Sequence, residues 1–118
     1  MNISYQGIGE WCATFCCGDP AEGGVVAVTD NGEVDACDAG DIFCGVVRSI
    51  AHDGKTCAVQ LAGLAAVKYS GDDVPEIGYN ELVADGDGGV AVAGEDDAGM
   101  NYLVISVYTT AKTAVIKL

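Results

Sequence analysis

Six cysteines and a single histidine are the residues of this 118-residue chain best equipped for chemistry. The thiols are Cys12, Cys16, Cys17, Cys37, Cys44 and Cys57. Cys12, Cys16, Cys17 and Cys37 supply four soft ligands, the number a structural zinc ion takes. Their spacing lacks the paired Cys-x2-Cys knuckle that presents two thiolates to one ion. Reduced, structural thiols are therefore the expectation. His52 stands beside Asp53 and Gly54 and reads as an exposed turn residue. A Cys–His nucleophile would need a thiol at its side and a donor for an oxyanion. Cys57 is the nearest thiol in sequence, but strand pairing sets it opposite Ile50. Asp85-Gly-Asp-Gly-Gly and Glu95-Asp-Asp look superficially like calcium loops. Neither has the EF-hand spacing with its closing glutamate, nor a repeated Gly-rich nonapeptide. Asp and Gly are also what tight turns require. No Gly-rich phosphate loop, Ser/His/Asp set or dinucleotide fingerprint is present. No catalytic, cofactor-binding or metal-ligating residue is assigned, and the expectation is a protein that is not an enzyme.

The elements that hold these residues are short strands. Residues 42–50 and 56–69 are apolar runs flanking Asp53-Gly54, a strong hairpin signal when both turn residues adopt φ > 0. With those two as the turn, Ile50 faces Cys57, Arg48 faces Val59, Val46 faces Leu61, Cys44 faces Gly63 and Ile42 faces Ala65. The odd positions of the second strand (Cys57, Val59, Leu61, Gly63, Ala65, Val67, Tyr69) are the more apolar and take the core face. Cys44 and Cys57 then both face the core, six strand positions or roughly 20 Å apart, too far for a disulfide. Gly63 in mid-strand predicts a bulge or bend. Arg48 is anomalous on an apolar face; it must snorkel, pair with a carboxylate or face a subunit.

Residues 25–37 form a second hairpin around Asn31-Gly32, with Val26, Val28, Val34 and Ala36 as core candidates. Pro75 places residues 70–78 in a loop. Residues 79–93 make a third hairpin, residues 102–109 a strand with Leu103, Ile105 and Val107 on one face, and residues 113–118 a last strand. Residues 1–24 read as an N-terminal arm leading into a first strand, and residues 25–118 as the barrel domain. Tyr5 and Trp11 suit an interaction element, since aromatic side chains anchor interfaces; Trp11 could equally cover the end of the barrel. The fold expected is all-β: a small closed or partly open barrel of about eight short antiparallel strands with an extended N-terminal arm.

Composition agrees with one globular domain: half of the residues are hydrophobic and 19% are charged. A formal charge of −13 repels phosphate backbones, so nucleic acid is not the expected partner, and a basic surface is. No apolar run is long enough to span a membrane, and no signal-peptide pattern opens the chain. The expectation is a product made and used in a cytoplasm, or in a particle assembled there.

Several stretches, taken in order, carry a resemblance. They are Met1-Asn-Ile-Ser-Tyr-Gln-Gly-Ile-Gly, Gly24-Val-Val, Ala39-Gly-Asp-Ile-Phe-Cys-Gly-Val-Val, Val59-Gln-Leu-Ala-Gly, Tyr69-Ser-Gly, Gly78-Tyr-Asn-Glu-Leu-Val-Ala-Asp-Gly and Tyr102-Leu-Val-Ile-Ser-Val. Together with Asp53-Gly54, Gly88-Gly-Val and Thr110-Ala-Lys they span nearly the whole chain. The pattern resembles the capsid cement, or head decoration, proteins of tailed phages and prophages. The Cys12, Cys16 and Cys17 cluster departs from it. The resemblance implies a non-enzymatic β-barrel in the virion, bound to the outside of an icosahedral head. Its partner would be the major capsid protein, and it could act as a homotrimer; it brings no catalytic residues and no cofactor. The competing reading is a free-standing small barrel that binds a metal or a glycan.

Overall fold

The computed structural model describes residues 9–95 and 98–118. These residues form ten strands and no helix: β1 (Trp11–Cys17), β2 (Val25–Asp30), β3 (Glu33–Ala36), β4 (Gly45–Ile50), β5 (Thr56–Ala62), β6 (Leu64–Lys68), β7 (Gly78–Ala84), β8 (Val90–Val92), β9 (Met100–Tyr108) and β10 (Thr113–Lys117). The expected all-β class holds. The count of eight does not, for two local reasons. Residues 11–17 complete a strand despite the glycines around them, and residues 56–69 are two strands rather than one.

The break is at Gly63. Its φ of 93° lies in the left-handed region, which glycine enters without steric cost. There the chain leaves one sheet and enters another. Strands β1–β5 close a barrel in the order β1-β3-β2-β4-β5, and β6–β10 form a second sheet in the order β6-β10-β9-β7-β8. The barrel is not wholly antiparallel: β1 closes it by pairing antiparallel with β5 and parallel with β3 at Cys16 and Cys17. A parallel bridge between Tyr69 and Val90 draws the two edges of the second sheet together.

Each sheet encloses a core. Val26, Val34, Val47, Cys57 and Val59 fill the barrel, with Phe15, Cys17, Ile50 and Leu61 packed against them. The second core gathers Ala65, Val67, Leu82, Val90, Tyr102, Val104 and Ile116 from its own sheet. It also takes Val25, Cys37, Phe43 and Val46 from the first half of the chain. Val25 and Val46 are paired across β2 and β4, and both turn outwards from the barrel into the neighbouring core. Alternate residues of β2 and β4 are therefore buried on opposite faces, so Val25 and Val26 are both inaccessible. Phe43 stacks on Tyr102 with ring centroids 4.5 Å apart, and the Tyr102 hydroxyl donates to the Phe43 carbonyl at 2.6 Å.

The central hairpin keeps Ile50 opposite Cys57, as the register predicts. Its turn differs: Gly54 has positive φ but Asp53 does not. The Asp53 carboxylate instead accepts the Lys55 N–H at 2.9 Å, and Ala51 and Thr56 close the loop. A bulge at Arg48 then shifts the register, so Val47 faces Val59 and Val46 faces Gln60. Arg48 is thereby expelled from the apolar face, and Cys44 and Ile42 are exposed rather than in the core. On β2, Val26 is buried as expected and Val28 is not, because a bulge follows Val28. On β9 the buried face carries Tyr102 and Val104; Leu103 and Ile105 are only half-buried on the other. A bulge opposite Val115 and Ile116 interrupts the alternation, and Val107 packs inwards.

Candidate interaction surface

All six cysteines are free thiols. Cys12 and Cys16 are exposed on the outer side of β1, while Cys17 is half-buried and donates to the Gly54 carbonyl at 3.6 Å. Cys57 lies in the barrel core. Burial first, then a hydrogen bond and the charge of Cys17 and the nearby Cys16, push its pKa up to about 11. Cys37 is likewise pushed up to about 11, by burial and then by Asp41, Cys44 and Asp38. Burial also raises Cys44. Thiols held in the neutral form are poor nucleophiles and poor metal ligands. Among the described residues no three His, Cys, Asp or Glu side chains gather to hold an ion.

His52 is exposed in the hairpin loop, as its position predicts. The Asp85 carboxylate is committed to its own turn. It accepts the N–H groups of Asp87 at 2.7 Å and Gly89 at 3.0 Å, and the Ser70 hydroxyl at 2.8 Å. In the other acidic stretch, Asp96 and Asp97 lie outside the described residues, as does Tyr5 of the arm. Arg48 does pair with a carboxylate: its Nη1 stands 3.7 Å from Glu10 Oε1 and donates to Gln60 Oε1 at 3.1 Å. The pair is half-shielded: the Arg48 side chain is 41% exposed, that of Glu10 only 14%.

What remains chemically distinctive is apolar surface. Trp11 opens β1 with 62% of its surface exposed, so it does not cover the end of the barrel. Ile77 is 69% exposed and Tyr79 76% exposed, the latter on the outward face of β7. A separate groove of about 430 Å³ runs between the barrel and the second sheet. Its walls include Val28, Ile42, Phe43, Met100, Tyr102 and Leu118, with Cys44 alongside. The bulges that expel Val28 and Ile42 from their expected core places create it. The sequence signal was the run of apolar residues itself; a bulge leaves no trace in a two-residue alternation. Searched against family models, the chain matches none, and no curated protein matches it.

Proposed function

We propose that the protein is a structural, non-enzymatic component of a tailed-phage head. In this reading it binds the outer surface of the icosahedral shell and stabilises contacts between major capsid subunits, as single copies or as a homotrimer. The supporting observation is the pairing of a closed, strongly acidic β body with large exposed apolar side chains, Trp11, Ile77 and Tyr79. Aromatic anchors on a chain of formal charge −13 suit a rigid partner that offers apolar pockets ringed by Lys and Arg. Many copies, each adding a modest contact, would raise the stability of a shell by linked binding.

The test is cosedimentation with expanded, empty shells of the major capsid protein encoded with this chain. The protein is expected to pellet with the shells and to raise their melting temperature. Trp11→Ala combined with Tyr79→Ala is expected to weaken binding by about tenfold or more, the loss of a hot-spot pair. Wild-type protein that stays in the supernatant at micromolar concentration would overturn the reading.

A further inference from the structure

Strand β6 is an outer strand of the second sheet, laddered to β10 on one side only. We propose that its other edge, from Leu64 to Lys68, takes an extended peptide of a partner protein as an added strand. That peptide carries an acidic residue opposite Lys68 and an apolar one opposite Leu64. The phase of the ladder decides which backbone groups are available. The Gly63 carbonyl accepts the Leu118 N–H at 2.9 Å, and the Tyr69 N–H donates to the Lys112 carbonyl at 3.0 Å. Both bonds lie on the register that sets Leu64 opposite Lys117 and Lys68 opposite Thr113. In an antiparallel ladder bonded pairs recur at every second residue, so Ala65 and Val67 bond to β10 as well. Leu64, Ala66 and Lys68 therefore turn their backbone groups away from β10. The Leu64 carbonyl is met by Gln60 Nε2 at 2.9 Å, and the Lys68 carbonyl packs against Gly89. The Ala66 N–H and C=O and the Lys68 N–H meet no partner among the described residues.

There is room beside this edge. Two adjoining hollows of about 350 and 420 Å³ run along it, and both have Glu22, Gly23 and Ala66 in their walls. Residues 21–24 form the wall facing β6. A Cβ built on Gly23 would meet nothing within 4 Å. An added strand lies about 4.8 Å from its neighbour, and a glycine wall leaves its backbone that space. Unpaired N–H and C=O groups along a groove are the chemistry that recognises an extended polypeptide: the backbone supplies the ladder and alternate side chains supply the selection.

The side chains of β6 state what the partner must carry, because residues directly opposite each other share a face. Lys68 is exposed and, among the described residues, in no ion pair, so an acid opposite it gains an attractive neighbour. Strands β6, β9 and β10 contain no Asp or Glu that would repel that acid. Glu22 and Asp87, elsewhere in the walls, disfavour a run of acids, so a single one is specified. Leu64 is half-buried and favours an apolar residue; the exposed Ala66 between them leaves space for a small one. On the inner face Val46 and Ala65 line the groove, and β-branched residues opposite Ala65 and Val67 would cover them. The proposal is independent of the capsid reading, which uses Trp11, Ile77 and Tyr79.

Amide hydrogen exchange of the full chain, read residue by residue by NMR, tests it. The probe is the synthetic peptide acetyl-Glu-Val-Ala-Val-Leu-amide, which in antiparallel register sets Glu opposite Lys68 and Leu opposite Leu64. Without peptide, the Ala66 amide is expected to exchange at least about tenfold faster than that of Val67, which is held in the ladder. Peptide at about 1 mM is expected to slow the Ala66 and Lys68 amides by about tenfold. The same peptide N-methylated at its alanine keeps every side chain but loses the donor that faces the Ala66 carbonyl, and should slow neither. Lys68→Glu is expected to weaken binding of this peptide about fivefold and to strengthen that of acetyl-Lys-Val-Ala-Val-Leu-amide by a similar factor. An Ala66 amide already protected without peptide, no slowing at about 1 mM, or equal slowing by the N-methylated peptide would overturn the proposal. A Lys68→Glu chain that binds both peptides as wild type does would overturn the choice of an acidic partner residue.

Discussion

Gln60 is the buried polar side chain whose bonds matter most to the fold. It is wholly inaccessible. Its Nε2 donates to the Ala62 carbonyl at 3.0 Å and the Leu64 carbonyl at 2.9 Å, and its Oε1 accepts from Arg48. Those two carbonyls flank Gly63, where the chain leaves one ladder for the next, so the amide satisfies acceptors that the break would strand. Gln60→Leu fills similar volume but leaves both carbonyls without that donor. The expected cost is about 2–4 kcal/mol, read as a lower urea midpoint at unchanged slope. Gln60 also marks where reading the sequence stops working. Alternation from Cys57 puts Cys57 and Val59 inside, correctly, and Gln60 outside, wrongly. One bulge at Arg48 changes the strand's partners, and strict two-residue alternation does not allow for it. Arg48 itself was the clue: an arginine predicted on an apolar face signals that the assumed register is off.

At the scale of elements, Gly63 governs how β5 and β6 are separated. Its φ is in the left-handed region, and a Cβ would press on the backbone of Gly9 and Glu10 at 3.0 Å. Neither neighbour is the movable end of a side chain. Gly63→Ala is therefore expected to cost about 2–4 kcal/mol, strain and displacement together. Urea unfolding followed by tryptophan fluorescence measures it, since Trp11 opens the strand next to the displaced backbone; an unchanged midpoint would count against this role. The bend was legible because a glycine weakens the interior of an apolar strand and is tolerated there where the backbone must turn or approach another closely. That it passes the chain between two sheets was not, since alternation runs unbroken through Cys57, Val59, Ala65, Val67 and Tyr69. The three hairpins were legible from their turn residues. The closing role of β1 was not, because a parallel pairing of distant segments has no local signature.

Over the whole molecule, both cores contain acidic protons that folding protects. Cys57 sits in the barrel core, and Cys37 and Tyr102 in the other. The thiols are pushed from an ordinary 9.0 up to about 11, and burial lifts Tyr102 from 10.0 to about 12. The folded pKa values are the higher ones, so the unfolded chain releases these protons first. The stability they contribute is complete below pH 9 and is lost as pH rises through 11 and 12. Urea midpoints are expected to hold steady up to pH 9 and to fall between pH 9 and 11. A Cys37→Ala, Cys57→Ala double variant should fall less steeply over that interval than wild type. Parallel curves would show that the buried thiols do not set the alkaline limit.

The two cores also differ in where their side chains come from. Among the described residues, the barrel's interior is drawn from residues 15–61, whereas the second interior borrows Val25, Cys37, Phe43 and Val46 from that earlier stretch. Dependence therefore runs one way along the polypeptide. As a ribosome releases the chain, the earlier half has all it needs to fill its own centre before the later half exists. The later half emerges facing a surface that already presents the side chains it lacks.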